Sequence, residues 1–333
     1  MAAAPPYRDL NSYLRARFGE RVQKISLDAG LTCPNRDGRV GTGGCLYCNA
    51  RGSGTGAWAR GRSLAAQMAE GMARLSRRYR ATKFIAYFQS FSNTYAPISR
   101  LRELYEVALA FPQVVGLSIG TRPDCLADEV LDLLAGYAPE RLVWLELGLQ
   151  SAHDATLRRL NRGHDVACFT AAVDRAAARG LEVVAHVILG LPGEGPREMT
   201  ATADYLARLP LHGVKIHLLY VVKGSGLARL HDAGEYTCLS EDQYVELAVD
   251  FIERLPPHLV IHRLTGDPHA GELLAPAWCL DKSRVLQRLR EEFARRGTSQ
   301  GRFVGRLTGG GALHPNSTCQ TRDKEKDYGT ATS

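Results

Sequence analysis

The chain has 333 residues, 45% hydrophobic and 23% charged, with a formal net charge of +7 from 42 basic and 35 acidic side chains. That size exceeds one small module and suits a large α/β domain with an appendage, or two domains. No apolar run reaches the ~18–20 residues of a membrane span, and the first six residues, Met-Ala-Ala-Ala-Pro-Pro, lack the charged-then-apolar order of a secretory signal, so a cytoplasmic protein with no membrane partner is expected.

After an N-terminal segment, 1–20, short β-branched runs alternate with longer helical patterns. Strands are expected at Val22–Leu27, Lys83–Phe88, Val114–Ile119, Leu142–Leu147, Glu182–Ile188 and Val214–Leu219. Between them the periodicity predicts helices at Ser63–Tyr79, Ile98–Ala110, Asp128–Gly136, Ala152–Leu160 with Ala167–Arg179, and Glu198–Leu209. Six such units imply consecutive right-handed βαβ crossovers and a parallel sheet. Several strands run into polar, Gly/Pro-rich segments, which puts chemistry at their carboxyl ends as in barrel enzymes. The fold class expected is α/β, a partial (βα)6 TIM-like barrel over 21–223 with a C-terminal α/β extension over 224–307. In the extension, helical patterns at Leu227–Ala233, Ser240–Arg254 and Asp281–Arg296 surround a strand-like Leu259–Arg263. Residues 308–333, with Gly309-Gly-Gly311 and few large apolar side chains, read as a disordered tail.

Eight cysteines in a cytosolic chain do not suggest disulfides. Cys125, Cys168, Cys238, Cys279 and Cys319 are scattered, whereas Cys33, Cys45 and Cys48 cluster in a glycine-rich loop after the first strand. A structural zinc site normally takes four ligands, and no second CxxC lies nearby. A cubane iron–sulfur cluster held by three thiolates leaves one iron open for chemistry. Zinc with a remote fourth ligand is the alternative on spacing alone.

A CxxC enclosing an aromatic, Tyr47, after the first strand of a parallel barrel resembles the radical S-adenosylmethionine (radical SAM) superfamily. The common first gap there is three residues and here it is eleven, as occurs in the branch containing the Elongator catalytic subunit. Five later segments resemble that branch: Ile119-Gly-Thr-Arg-Pro-Asp124, Leu145-Glu-Leu-Gly-Leu-Gln-Ser151, Asn161-Arg-Gly-His164, His186-Val-Ile-Leu-Gly-Leu-Pro-Gly193 and Lys223-Gly-Ser-Gly-Leu227. More narrowly, Arg21-Val-Gln-Lys24, the run from Asp28 to Gly38, and Arg263-Leu-Thr-Gly-Asp267 are similar to a stand-alone bacterial group without the acetyltransferase-like half.

The resemblance implies a radical SAM enzyme. Cys33, Cys45 and Cys48 would ligate a [4Fe–4S] cluster, S-adenosyl-L-methionine would bind its open iron, and reductive cleavage would yield a 5′-deoxyadenosyl radical. It also implies an electron donor such as flavodoxin or ferredoxin. Tyr47 would lie beside the adenine. Gln89 and Ser90 stand where the family has a Gly-Gly-Glu-like motif for the methionine ammonium, with the glycines and acid missing here. Arg122 could grip the cofactor carboxylate or simply pair with Asp124. Glu146 and Gln150 share one strand face with Gly148 and would take the ribose and methionine end, or bond internally. Gly190 would let backbone approach the adenine. His164 and His186 read as hydrogen-bonded residues, with Asn161–His164 as a helix cap. Cys279 could quench a substrate radical or be a buried thiol. No residue is assigned a catalytic role.

Elongator-like members act on the wobble uridine of tRNA. Two basic stretches suit a phosphate backbone: 51–80, with seven arginines against Glu70, and 281–306, with eight basic side chains against three acids. Modification of a tRNA nucleoside is therefore the leading expectation. Radical chemistry on a metabolite or protein, and a non-catalytic metal-bearing RNA-binding protein, are the alternatives.

Overall fold

The computed structural model describes residues 5–52 and 54–304. Helix α1 (Leu10–Phe18) precedes six strand–helix units: β1 (Val22–Leu27) and α2 (Leu64–Tyr79); β2 (Lys83–Phe88) and α3 (Ile98–Leu109); β3 (Val114–Thr121) and α4 (Asp128–Tyr137); β4 (Leu142–Gln150) with α5 (Asp154–Arg159) and α6 (Val166–Ala177); β5 (Glu182–Leu189) and α7 (Pro196–Leu206); then β6 (Gly213–Leu218). After it come β7 (Val221–Val222), α8 (Gly226–Asp232), α9 (Glu241–Glu253), β8 (Val260–Arg263), β9 (Leu273–Ala275) and α10 (Lys282–Arg296).

The main sheet runs β1-β2-β3-β4-β5-β6-β8 with every pairing parallel. Strand order that never reverses keeps the crossovers on one side, so the sheet curls into a half-barrel. Alternation along β4 shows both faces: Val143, Leu145, Leu147 and Leu149 join the core under the helices. Leu142 and Trp144 instead join Leu14, Val22, Ile85 and Val184 in a smaller cluster inside the barrel. Helix α1 thus plugs the barrel at the amino ends of the strands. It also spans the gap between the sheet edges, where Ile261 N–H donates to Arg8 O at 2.8 Å.

Six strands were expected, and β8 makes a seventh. It pairs with β6 through Gly213↔Val260 and Val214↔Ile261, so Leu259–Arg263 belongs to the barrel and the sheet crosses the expected boundary at 223. Two helices separate β6 from β8 in sequence, which hides their pairing. The strands also run one to three residues further at their carboxyl ends than periodicity suggests, to Thr121, Gln150 and Leu189. The expected tail at 308–333, with Cys319, lies outside the described residues. Among the described residues no helix is long and apolar enough to cross a membrane.

Candidate active site

A cavity of about 630 Å³ opens at the carboxyl ends of the strands, and Cys33, Cys45 and Cys48 all line it. The long first gap between cysteines is a closed excursion. Val40 N–H donates to Pro34 O at 2.8 Å and Gly44 N–H to Asn35 O at 2.8 Å, so the chain leaves and returns at one point. Gly43 and Gly44 make the return turn at φ 77° and 78°, a region costly for other residues. Residues 36–43 therefore add length without separating Cys33 from the CxxC turn, which closes through Cys48 N–H to Cys45 O at 2.9 Å.

The turn after α5 clamps this loop. Asn161, at φ 52°, donates from Nδ2 to Gly44 O at 2.9 Å and Thr42 O at 3.3 Å. Leu46 N–H donates to Leu160 O at 3.0 Å. Arg162 is buried, reaching Cys45 Sγ through Nη1 at 3.4 Å and Gly148 O through Nη2 at 2.8 Å. A Cβ on Gly148 would fall 2.5 Å from Arg162 Nη2, so a larger residue there would push the guanidinium aside. A hydrogen bond from Cys48 and the Arg162 guanidinium hold the Cys45 thiol well below its ordinary pKa. Cys48, donating that bond in a buried setting, is held well above.

Deeper in the barrel lies a polar floor. Glu146 is fully buried. Its Oε1 accepts from Lys24 Nζ at 2.5 Å and from Ser118 Oγ; its Oε2 accepts from His186 Nε2 at 2.6 Å and Lys215 Nζ at 2.9 Å. Lys215 also donates to the Tyr87 hydroxyl at 2.6 Å. The ring of cations keeps Glu146 well below the usual carboxylate range despite its burial. Burial lowers Lys215 to about 7, with Glu146 opposing and Arg263 and Lys24 adding to the fall. Burial likewise lowers His186 to about 4.

The structure brings most of the sequence-derived site residues to this cavity. Tyr47, Gln89, Arg122, Glu146 and Gln150 line it with the three cysteines. Ser90 lies fully buried, and its hydroxyl finds no hydrogen bond among the described residues. Arg122 forms the plainer of its two expected contacts, a fork onto Asp124 with both bonds 2.8 Å, while its Nη1 stays buried without a partner among the described residues. Glu146 likewise has internal partners for both oxygens rather than lying free.

Gly190 stands apart from these residues. It does not line the cavity: its carbonyl accepts from Tyr236 OH at 2.8 Å, and a Cβ would meet Leu239 at 3.1 Å. Its φ of 89° serves the turn after β5, and Ile188 faces the cavity instead. Cys279 is 2% exposed and absent from the lining, so it is a buried thiol. Asn161–His164 does end a helix, and it also supplies the clamp. Missed in sequence were Arg162, Lys24, Tyr87, Lys215 and Arg263. A signal existed for four of these: side chains with a polar group within the strand runs, on the same face as the cavity.

The cavity fits an iron–sulfur cluster with a bound amino acid-like cofactor. Three thiols share one volume, and the buried Arg122 Nη1 and Arg162 Nε are donors without partners among the described residues. Among the described residues no three His, Cys, Asp or Glu side chains converge as ligands of a single metal ion. A cubane takes each thiolate on a different iron, so its ligands need share a volume, not a point.

The sequence pattern of the Radical SAM superfamily matches residues 36–206, and that of the Radical_SAM C-terminal domain matches 211–295. The chain belongs to the radical SAM superfamily and is an enzyme of that class, with a [4Fe–4S] cluster and S-adenosyl-L-methionine as its cofactors. Cys45 and Cys48 fall inside the matched range and Cys33 three residues before it. The chain is 43% identical to YtqA of Bacillus subtilis over 307 residues, 92% of this chain and 95% of that one. It is 41% identical to YhcC of Escherichia coli K12 over 294 residues, 88% and 94% of the two chains. With Elongator complex protein 3 of Saccharomyces cerevisiae it shares 34% identity over 158 residues, 46% of this chain and only 28% of that protein. The structure of the archaeal Methanocaldococcus infernus Elp3 with an N-terminal deletion has the same fold, with a TM-score of 0.60 at 18% identity, covering 84% of this chain and 64% of that one.

Proposed function

We propose that Cys33, Cys45 and Cys48 ligate the cluster and that the enzyme modifies a tRNA nucleoside, at the side chain of the wobble uridine. The observation that carries the ligand assignment is the shared cavity: an excursion pinned at its base returns Cys45 and Cys48 to Cys33, with Arg162 donating to the Cys45 sulfur. When bound and reduced, the cofactor pair supplies a 5′-deoxyadenosyl radical.

The protein's own groups position and shield. Arg122, steered by Asp124, offers its spare Nη1 to the cofactor carboxylate. Gln89, Ser90 and Gln150 offer polar atoms to the methionine end and ribose, and Tyr47 packs beside the adenine. Glu146 acts through Lys24, Lys215 and His186, holding the floor rigid and charged. A flavodoxin or ferredoxin delivers the electron, and the reducing cytoplasm keeps the thiols available. The functional division is a catalytic unit over 21–223, with 224–307 contributing β8 as a further strand of the barrel and Arg263 to the cavity.

Support for tRNA comes from similarity to the Elongator protein and from the distribution of unpaired charge. In 51–80, Arg60, Arg74, Arg77 and Arg80 have no carboxylate partner among the described residues, and Arg74 lines the cavity. The second basic stretch is largely neutralised: Arg284 and Arg288 pair with Glu241, Arg288 also with Asp242, and Arg296 with Asp250 and Glu292. Phosphate contacts are therefore expected from the first stretch, not from α10. Nucleoside analysis of tRNA from a deletion strain tests the reading. Loss of a wobble-uridine modification, restored by the wild-type gene, is expected; an unchanged profile contradicts it.

A further inference from the structure

Among the described residues the Arg263 side chain makes no hydrogen bond or ion pair. It ends β8, where a register shift sets it opposite Lys215 on β6. Its side chain lines both the main cavity and a second opening of about 350 Å³ beside α1. Ser26, Tyr87 and the carboxylate of Asp267 line both spaces as well, so Arg263 stands where the two meet.

The surrounding charge is unbalanced. Lys24 and Lys215 share one buried carboxylate, Glu146, which His186 also engages, and Arg263 has no ion pair with it. Asp267 also lines the cavity, but it is exposed and paired with Lys282. A guanidinium cannot shed its proton, so the excess charge falls on its neighbours. Lys24, Lys215 and His217 are all lowered, first by burial and in part by Arg263. A half-buried guanidinium with no direct ion pair gains from an anion that completes it.

We propose that the lower half of the cavity is an oxyanion site anchored by Arg263, and that the substrate carries a carboxylate or phosphate into it. A guanidinium fork matches either group with two parallel N–H···O bonds. The Tyr87 hydroxyl, held by Lys215, and the His217 ring line the same wall. This deepens the radical SAM reading of the cavity and rests on it, but it does not rest on the choice of tRNA. The cofactor's own carboxylate has Arg122 at the thiol-bearing end, which leaves Arg263 for a second ligand.

The test uses the cluster-reconstituted enzyme, oxidised and saturated with S-adenosylmethionine, and separate titrations of inorganic phosphate and acetate. Binding is read from NMR line broadening of each anion, and the tighter of the two identifies the source of the oxyanion. Arg263→Gln is expected to weaken binding by roughly tenfold or more, as loss of a charge-assisted fork should. Arg102→Gln, an exposed change on α3, should leave it unchanged. Arg263→Lys keeps the charge and loses the fork, so weaker binding there supports the site even if the neutral variant does not fold. Equal binding by wild type and both Arg263 variants overturns the proposal, as does absence of binding by either anion. Anion binding seen in the enzyme free of S-adenosylmethionine but lost in the saturated enzyme overturns it too, because Arg263 would then serve the cofactor. A negative result here with an altered tRNA profile would sink the oxyanion site alone.

Discussion

Glu146 is buried with no exposed surface, and both of its oxygens are bound by cationic or proton-bearing neighbours. A buried ion cluster is a modest source of net stability while complete and a large liability once one member goes. Glu146→Gln leaves Lys24 and Lys215 facing each other without a carboxylate, and is expected to cost about 3–5 kcal/mol in chemical denaturation. A change within experimental error would mean that water or another group satisfies both lysines. His186 depends on the same carboxylate: as an acceptor, Glu146 fixes the ring proton on Nε2. The floor is therefore one unit, and single substitutions in it should not add.

At the scale of elements, the cysteine loop is held from outside, by the turn that ends α5. Asn161→Gly keeps the left-handed backbone and removes the side-chain bonds to Gly44 and Thr42. Cluster loss to a chelator should then speed up by about tenfold, the usual scale for losing groups that orient metal ligands, with helix content unchanged. Equal loss rates would show that Arg162 and the excursion's own bonds suffice. This clamp explains what was legible in the sequence and what was not. Strands β1 to β6 could be read because each carries a short run of β-branched, aromatic or aliphatic residues between helical patterns. The cysteines could be read because their spacing is a local property. Arg162 could not: its contact with Cys45 spans 117 positions, with its guanidinium lying against Gly148. Gly190 is ambiguous in sequence because a glycine after a strand signals a turn and a close approach equally well, and in the structure a Cβ there would meet Leu239. The basic α10 misled because its partners lie on α9, and a charge run shows nothing of what faces it.

Across the whole molecule, several histidines are built in neutral. Burial holds His186 at about 4 and keeps His217 and His262 well below their ordinary 6.5. Below 6.5 the unfolded chain takes up these protons while the folded chain does not, so stability falls with pH from 6.5 towards 4. For His186 the 2.5-unit gap between 6.5 and about 4 corresponds to a loss on the order of 3 kcal/mol. Glu146, depressed in the fold, stabilises fully above the ordinary carboxylate range and loses its contribution only as pH falls through its folded value. The melting temperature of the cluster-free chain should decline across that window, and a flat profile would show that the ring nitrogens are hydrated. The most direct measurement on the central claim is iron content after anaerobic reconstitution of single alanine variants. Cys33→Ala, Cys45→Ala and Cys48→Ala should each lose the cluster and its visible absorption, whereas Cys168→Ala, at a buried thiol on α6, should retain both. Equal iron content in all four variants would contradict the assignment of the three thiols as ligands.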